Sequence, residues 1–171
     1  MQHGDWAARA AGVPGGPLRH EREFARDFST PQGALLLLDD AYRARDIDAA
    51  VAAKDFRCEA ALMLSHLLPG ARPDEEARVE ILTGVATELE AGYRAHFTQA
   101  GFPDLAGAES HFSAAVPFKG NPDVVAVAEV IAYPDGGTST QRMLVARTPD
   151  GWRGLVPAEL YERPGGPSGR G

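Results

Sequence analysis

Thiols, lysines and long apolar runs are scarce in this sequence, and each shortage closes off a class of protein. The single cysteine, Cys58, cannot build an internal disulfide framework or a multi-thiolate metal site. Its place inside a helical apolar pattern marks it as a packing residue rather than a reactive thiol. Lys54 and Lys119 are the only lysines, and the formal net charge is −7, the opposite of the cationic surface that displaces counterions from a nucleic acid. The longest apolar stretches, 33–38 and 124–132, fall well short of the ~20 residues that cross a bilayer. The N-terminus opens Met1-Gln2-His3-Gly4-Asp5-Trp6, with no basic start leading into an apolar run. A secretory leader is therefore not expected, and the expected compartment is the cytoplasm.

Motifs for several chemistries are missing as well. The five histidines, His3, His20, His66, His96 and His111, never fall at a ligand spacing, so neither metal nor cofactor is expected. No glycine-rich phosphate loop occurs, and Gly136-Gly137 joins two strands instead of opening a helix. No G-x-S-x-G elbow is present, and Ser110 and His111 are neighbours whose side chains point to opposite faces of a strand, which disfavours a serine triad.

What remains is a chain of 171 residues, 44% apolar and 24% charged, with a mean hydropathy of −0.24. That is the size and composition of one globular domain. Thr30-Pro31 predicts a helix start, because the hydroxyl accepts an orphan N–H and proline lacks a donor that would go unused there. The helix runs to about Ala44, with Leu35, Leu38 and Tyr42 on one stripe. Asp46 caps a short second helix, and Asp55 caps a third carrying Phe56, Ala60, Met63, Leu64 and Leu67. Pro73 opens a long fourth helix, striped by Leu82, Ala86, Leu89, Tyr93 and Phe97 and ended by Gly101. This is the expected main packing helix, lying across a sheet.

From Ala108 the period shortens toward two. Strands are expected over 108–118, 124–133, 138–148 and 152–157, joined by tight turns and so antiparallel. The predicted fold class is α+β, with N-terminal helices packed in the concave face of a curved antiparallel four-strand meander. The expected organisation is a flexible arm over 1–28, holding at most one short helix near 21–28, then a domain over 29–158 and a disordered tail over 159–171.

This order of elements resembles the NTF2-like, cystatin-related superfamily. More narrowly, the run from Tyr42-Arg43-Ala44-Arg45-Asp46 to Lys54-Asp55-Phe56, with Asp150-Gly151-Trp152-Arg153 near the end, is similar to bacterial NTF2-fold immunity proteins. The resemblance covers about 30–157 and implies a cone-shaped domain. It also implies a non-enzymatic role, the neutralisation of a partner toxin by direct binding, which the acidic charge suits.

The superfamily also includes isomerases and dehydratases, which place an acid or base in the apolar mouth of the cone. On that alternative Glu129 is the candidate acid or base, because it alternates in phase with Val125, Val127, Ile131 and Tyr133. Tyr42, Tyr93, His96 and Tyr133 are the candidate pocket residues. The competing expectation sets Glu129 on an exposed face, paired with Arg142 or Arg147 across the hairpin. A third expectation is a homodimer closed over the small residues Ala126, Ala128 and Ala132.

Overall fold

The computed structural model describes residues 14–162, which form four α-helices and a curved, open antiparallel sheet of six strands. The helices are α1 (Pro31–Ala44), α2 (Ile47–Ala52), α3 (Phe56–Leu67) and α4 (Glu75–Ala100). The strands are β1 (Arg19–His20), β2 (Glu109–Phe112), β3 (Val116–Phe118), β4 (Asn121–Ala132), β5 (Thr138–Thr148) and β6 (Gly151–Pro157). Among the described residues no helix is long and apolar enough to cross a membrane.

Each helix starts where a side-chain oxygen relieves its first unpaired N–H groups. Thr30 accepts from Gly33, Asp46 from Ala49, Asp55 from Cys58 and Asp74 from Ala77, all at 2.8–3.0 Å. Helix α1 ends on Arg45 in the left-handed conformation (φ 55°), and α4 ends on Gly101.

The sheet runs β1-β2-β4-β5-β6, with β3 continuing the β2 edge further along β4. The expected single strand over 108–118 is thus two strands. Between them Ser113 turns its hydroxyl to the β4 backbone and accepts from Ala128 N at 2.9 Å. The interruption resets the alternation, so Phe112 and Phe118 fall in different apolar clusters. The segment before Thr30, expected to be a free arm up to residue 28, contributes to the sheet. Arg19–His20 pairs with His111–Phe112, Phe24 meets Phe112 edge-on at 5.7 Å, and the Phe28 carbonyl accepts from Trp152 N at 2.8 Å. The helix expected near 21–28 is a single 3-10 turn, Glu21–Glu23. Gly151 is obligatory at that junction, because a Cβ there would stand 2.5 Å from the Phe28 carbonyl oxygen. The expected arm over 1–13 and tail over 163–171 lie outside the described residues.

Two faces of the sheet carry two cores. On one, Val125, Val127, Met143, Val145 and Phe112 pack beneath Ala34, Leu35 and Leu36 of α1. On the other side of β4 and β5, Phe118, Ala126, Leu144 and Ala146 pack with Cys58, Leu62 and Met63 of α3. Ala126 and Ala128 are 5% and 3% exposed. Of the small-residue face expected to be open for a second copy, Ala126 and Ala128 are therefore already covered within one chain, and Ala132 is half-buried.

The long helix does not play its expected part. Its apolar phase is as predicted, since Leu82 is buried and Ala86, Leu89, Tyr93 and Phe97 are partly so. Yet α4 packs mainly on α3 and lightly on α2, while α1 is the helix laid on β4, β5 and β6. The physical reason is composition: nine of the fourteen α1 residues are buried, so α1 can be covered on several sides, whereas the single stripe of α4 needs only one partner helix. At the α3–α4 connection, Leu67, Leu68, Val79 and Ile81 stay exposed. This division of labour has a measurable consequence. Leu35→Ala, at a site 1% exposed, is expected to cost about 2–5 kcal/mol in denaturant unfolding. Val79→Ala on α4 is expected to stay within about 0.5 kcal/mol of wild type. The reverse ranking would return the core to the long helix.

Candidate functional site

A cavity of about 330 Å³ opens between α1, the C-terminal half of α4 and the strands β4–β6. Leu35, Leu38, Met143 and Leu155 give it apolar walls, Tyr93 and Phe97 close it from α4, and Asp39, Lys54, Glu129 and Gln141 bring polar groups into it. Its size lies at the lower end of the range for small-molecule pockets, roughly 300–1,000 Å³.

The polar centre is a carboxyl pair. Glu129 points to the face that carries Val125 and Val127 and is 1% exposed, so the expectation of an exposed Glu129 paired with Arg142 or Arg147 is wrong. Arg142 instead pairs with Glu162. Register delivers the partners of Glu129: Phe112 and Gln141 stand opposite it on β2 and β5, and Ser110 is two residues from Phe112 on the same face. Ser110 Oγ donates to Glu129 Oε1 at 2.8 Å, and Gln141 Nε2 donates to Oε2 at 2.9 Å. Above them, α1 lowers Asp39, 4% exposed, into hydrogen-bond contact with Glu129.

A lone serine hydroxyl has one proton. Ser110 gives it to Glu129 at 2.8 Å, so its 3.4 Å approach to Asp39 Oδ2 cannot be a donation at the same time. The contact between the two buried carboxyls therefore calls for a proton held by the pair itself. Burial, then the charge and hydrogen bond of Glu129, hold the Asp39 carboxyl well above the usual aspartate range, against smaller opposing effects of Arg43 and Ser110. Two carboxylates in contact away from water do not both ionise. Within the pair, Asp39 is the carboxyl whose proton is held to higher pH than usual.

A second pair borders the cavity on the side of the α2–α3 junction. Lys54 Nζ lies 3.4 Å from Glu59 Oε2, and both side chains are nearly sealed, at 7% and 9% exposed. The ammonium also stands 4.3 Å from the centre of the Tyr93 ring and 5.0 Å from that of Phe56. Burial pushes the Lys54 pKa down, and Glu59 only partly restores it. Lys54 is held there by the strand edge: its backbone bridges Gly154, Asp55 N donates to Gly154 O at 3.2 Å, and Gly154 N donates to Ala53 O at 2.8 Å.

The tyrosines tie the roof together. Tyr42 on α1 and Tyr93 on α4 share a hydrogen bond of 2.6 Å between their hydroxyls. Burial raises both phenols, the Tyr93 phenol to about 12, so each is a neutral donor at ordinary pH.

Of the candidates read from the sequence, Glu129, Tyr42, Tyr93 and His96 line this one cavity. His96 does so from the exposed flank, edge-on to Phe97 at 5.1 Å. Tyr133 does not join them. Just past the end of β4 it packs on Leu105, Ala108 and Ile131, a cluster that Tyr42 also meets, and its hydroxyl meets Ser139 at 3.2 Å. Asp39 and Lys54 were not among the candidates. Asp39 follows Leu35 by four residues and precedes Tyr42 by three, so the helical period already set it on the buried stripe. Lys54 carried no comparable signal, since its burial depends on the distant Gly154. Ser110 and His111 do point apart: Ser110 meets Glu129, and His111 meets the His20 ring at 4.9 Å.

Among the described residues no cluster of three or more His, Cys, Asp or Glu could hold a metal ion. Comparison with known proteins assigns no family: no family model, no curated protein and no solved structure matches the chain.

The raised Asp39 has a thermodynamic signature. The folded chain holds this proton to higher pH than the unfolded chain does, so stability falls as pH climbs from the ordinary value of 3.8 through the raised one. Asp39→Asn keeps the shape and removes the titration. The difference between wild-type and variant stability, measured by urea unfolding from pH 4 to 8, is expected to move in favour of the variant as pH rises. Parallel profiles would show that Asp39 titrates alike in both states.

Proposed function

We propose that the chain is an NTF2-like domain whose cavity binds a small, neutral, mainly apolar molecule by a polar end and moves a proton on it. The observation that carries this reading is the buried carboxyl pair facing an apolar-walled space. Glu129 supplies a base and Asp39 an acid within one site, the arrangement that proton transfer next to a carbonyl requires. Charge balance supports a neutral ligand. Lys54 is matched by Glu59, and Glu129 takes its hydrogen bonds from Ser110 and Gln141, so an anionic ligand would bring an unmatched charge into a desolvated space.

The roles divide by position. Glu129, fixed from two sides by Ser110 and Gln141, is the group that removes a proton from carbon. Asp39 is the donor that stabilises the oxygen on which charge develops. The Tyr42–Tyr93 bridge holds the end of α4 over the mouth and limits water. The toxin-binding expectation has the sequence resemblance and the charge behind it; the cavity reading has named residues behind it, and it is the one put forward.

The test is exchange of the α-protons of cyclohexanone in heavy water, followed by NMR. The wild-type chain is expected to accelerate the exchange saturably, with backbone shifts confined to the cavity walls. Glu129→Gln is expected to slow the catalysed exchange by about a hundredfold or more, within the usual span for a general base. Exchange at the buffer rate with no cavity shifts would overturn the reading.

A further inference from the structure

We infer that Lys54 is a carbonyl-reactive amine, and that the cavity takes an aldehyde or ketone whose carbonyl carbon forms an imine with Lys54 Nζ. The inference rests on the reading of the cavity as a ligand site, and it adds a covalent partner that the acid–base pair does not need.

Three observations support it. Lys54 borders the cavity and is 7% exposed, so the space next to its amine is the cavity and not open solvent. Its counter-ion is placed to take a proton: Glu59 Oε2 is buried, has no other polar partner among the described residues, and stands 3.4 Å from Nζ. Its remaining described contacts are the aromatic faces of Tyr93 and Phe56, which stabilise a cation without hydrogen-bonding the nitrogen lone pair once the proton has left. Desolvation lowers the Lys54 pKa, the condition under which buried lysines act as nucleophiles.

The step balances without an oxidant or reductant. The Lys54 ammonium passes a proton to Glu59, and the neutral amine attacks the carbonyl carbon, forming the C–N bond while the carbonyl electron pair moves to oxygen. The nitrogen then gives up a second proton as that oxygen gains one. The hydroxyl leaves as water on a proton from the Asp39 acid, and the nitrogen lone pair closes the C=N bond. Glu59 then returns its proton by way of solvent to restore the Asp39 acid. One ammonium has become one iminium, and Glu59 still faces a single positive charge.

Benzaldehyde is a suitable probe because it has no α-proton, so its reaction is independent of the proton transfer proposed above. With borohydride as the trapping reductant, the wild-type chain is expected to gain one benzyl group on Lys54. Trapping should saturate with benzaldehyde and run at least about tenfold faster than on the exposed Lys119. Peptide mapping separates the Lys54 adduct from those on Lys119, the one other lysine, and on the α-amine. Lys54→Arg retains the cation beside Glu59 and should abolish the adduct while circular dichroism stays unchanged. Should that variant misfold, cyclohexanone competition on the wild type serves instead, slowing the Lys54 label and leaving Lys119 alone. Cavity shifts in NMR without preferential Lys54 labelling would overturn the imine and leave the ligand site intact. Absence of both shifts and adduct would overturn the two together.

Discussion

Everything distinctive about this chain meets at the contact between the Asp39 and Glu129 carboxyls. It joins the helix that covers the sheet to the central strand beneath it, and it does so with groups that are costly to bury singly. The pair is tolerable because its hydrogen bonds are nearly complete: Ser110 and Gln141 donate to Glu129, and a retained proton on Asp39 removes the like-charge repulsion. Those donors come from the two strands flanking β4. A slip of either neighbour by one residue would turn Ser110 or Gln141 to the far face and strand a carboxylate in the core. The polar contact thus fixes the register that the surrounding valines, interchangeable by shape, would leave loosely specified.

Local chemistry was the most legible part of the sequence. Thr30, Asp46, Asp55 and Asp74 cap helices because a side-chain oxygen beside a free N–H acts within a few residues. The Asp135-Gly136-Gly137 hairpin is equally local, with Gly136 at φ 88°. The in-phase position of Glu129 was also readable, since alternation along a strand is strict. Periodicity says which face of an element is apolar, but not what that face meets. The stripe of α4 was read in the right phase and given the wrong neighbour, because α3 and a sheet are equally good apolar partners at that level. The segment 19–28 was passed over for the same reason. It has little apolar surface of its own and is held by backbone pairing, by Phe24 on Phe112 and by the Phe28 carbonyl on Trp152.

The site shows the same division. Glu129, Tyr42, Tyr93 and His96 gather because their elements converge, whereas Tyr133 sits past the end of β4 on Leu105, Ala108 and Ile131 and does not line the cavity. Asp39 and Lys54 become chemically interesting only through burial, and burial is a long-range property: Asp39 needs β4 below it, and Lys54 needs the Gly154 edge against its backbone. The fold therefore turns two ordinary surface residue types into a carboxyl with a raised pKa and a buried lysine with a lowered one, and puts both beside one apolar space. That conversion links architecture to the proposed chemistry.

The central claim is that burial beside Glu129 keeps a proton on Asp39 well above the ordinary aspartate range. Carbon-detected NMR of the side-chain carboxyls, with Asp39 assigned by its loss in Asp39→Asn, measures this directly. The account predicts a protonated-acid shift for Asp39 that persists clearly above its ordinary value of 3.8. A carboxylate shift for Asp39 at neutral pH, with titration at the acidic value usual for an exposed aspartate, would contradict it.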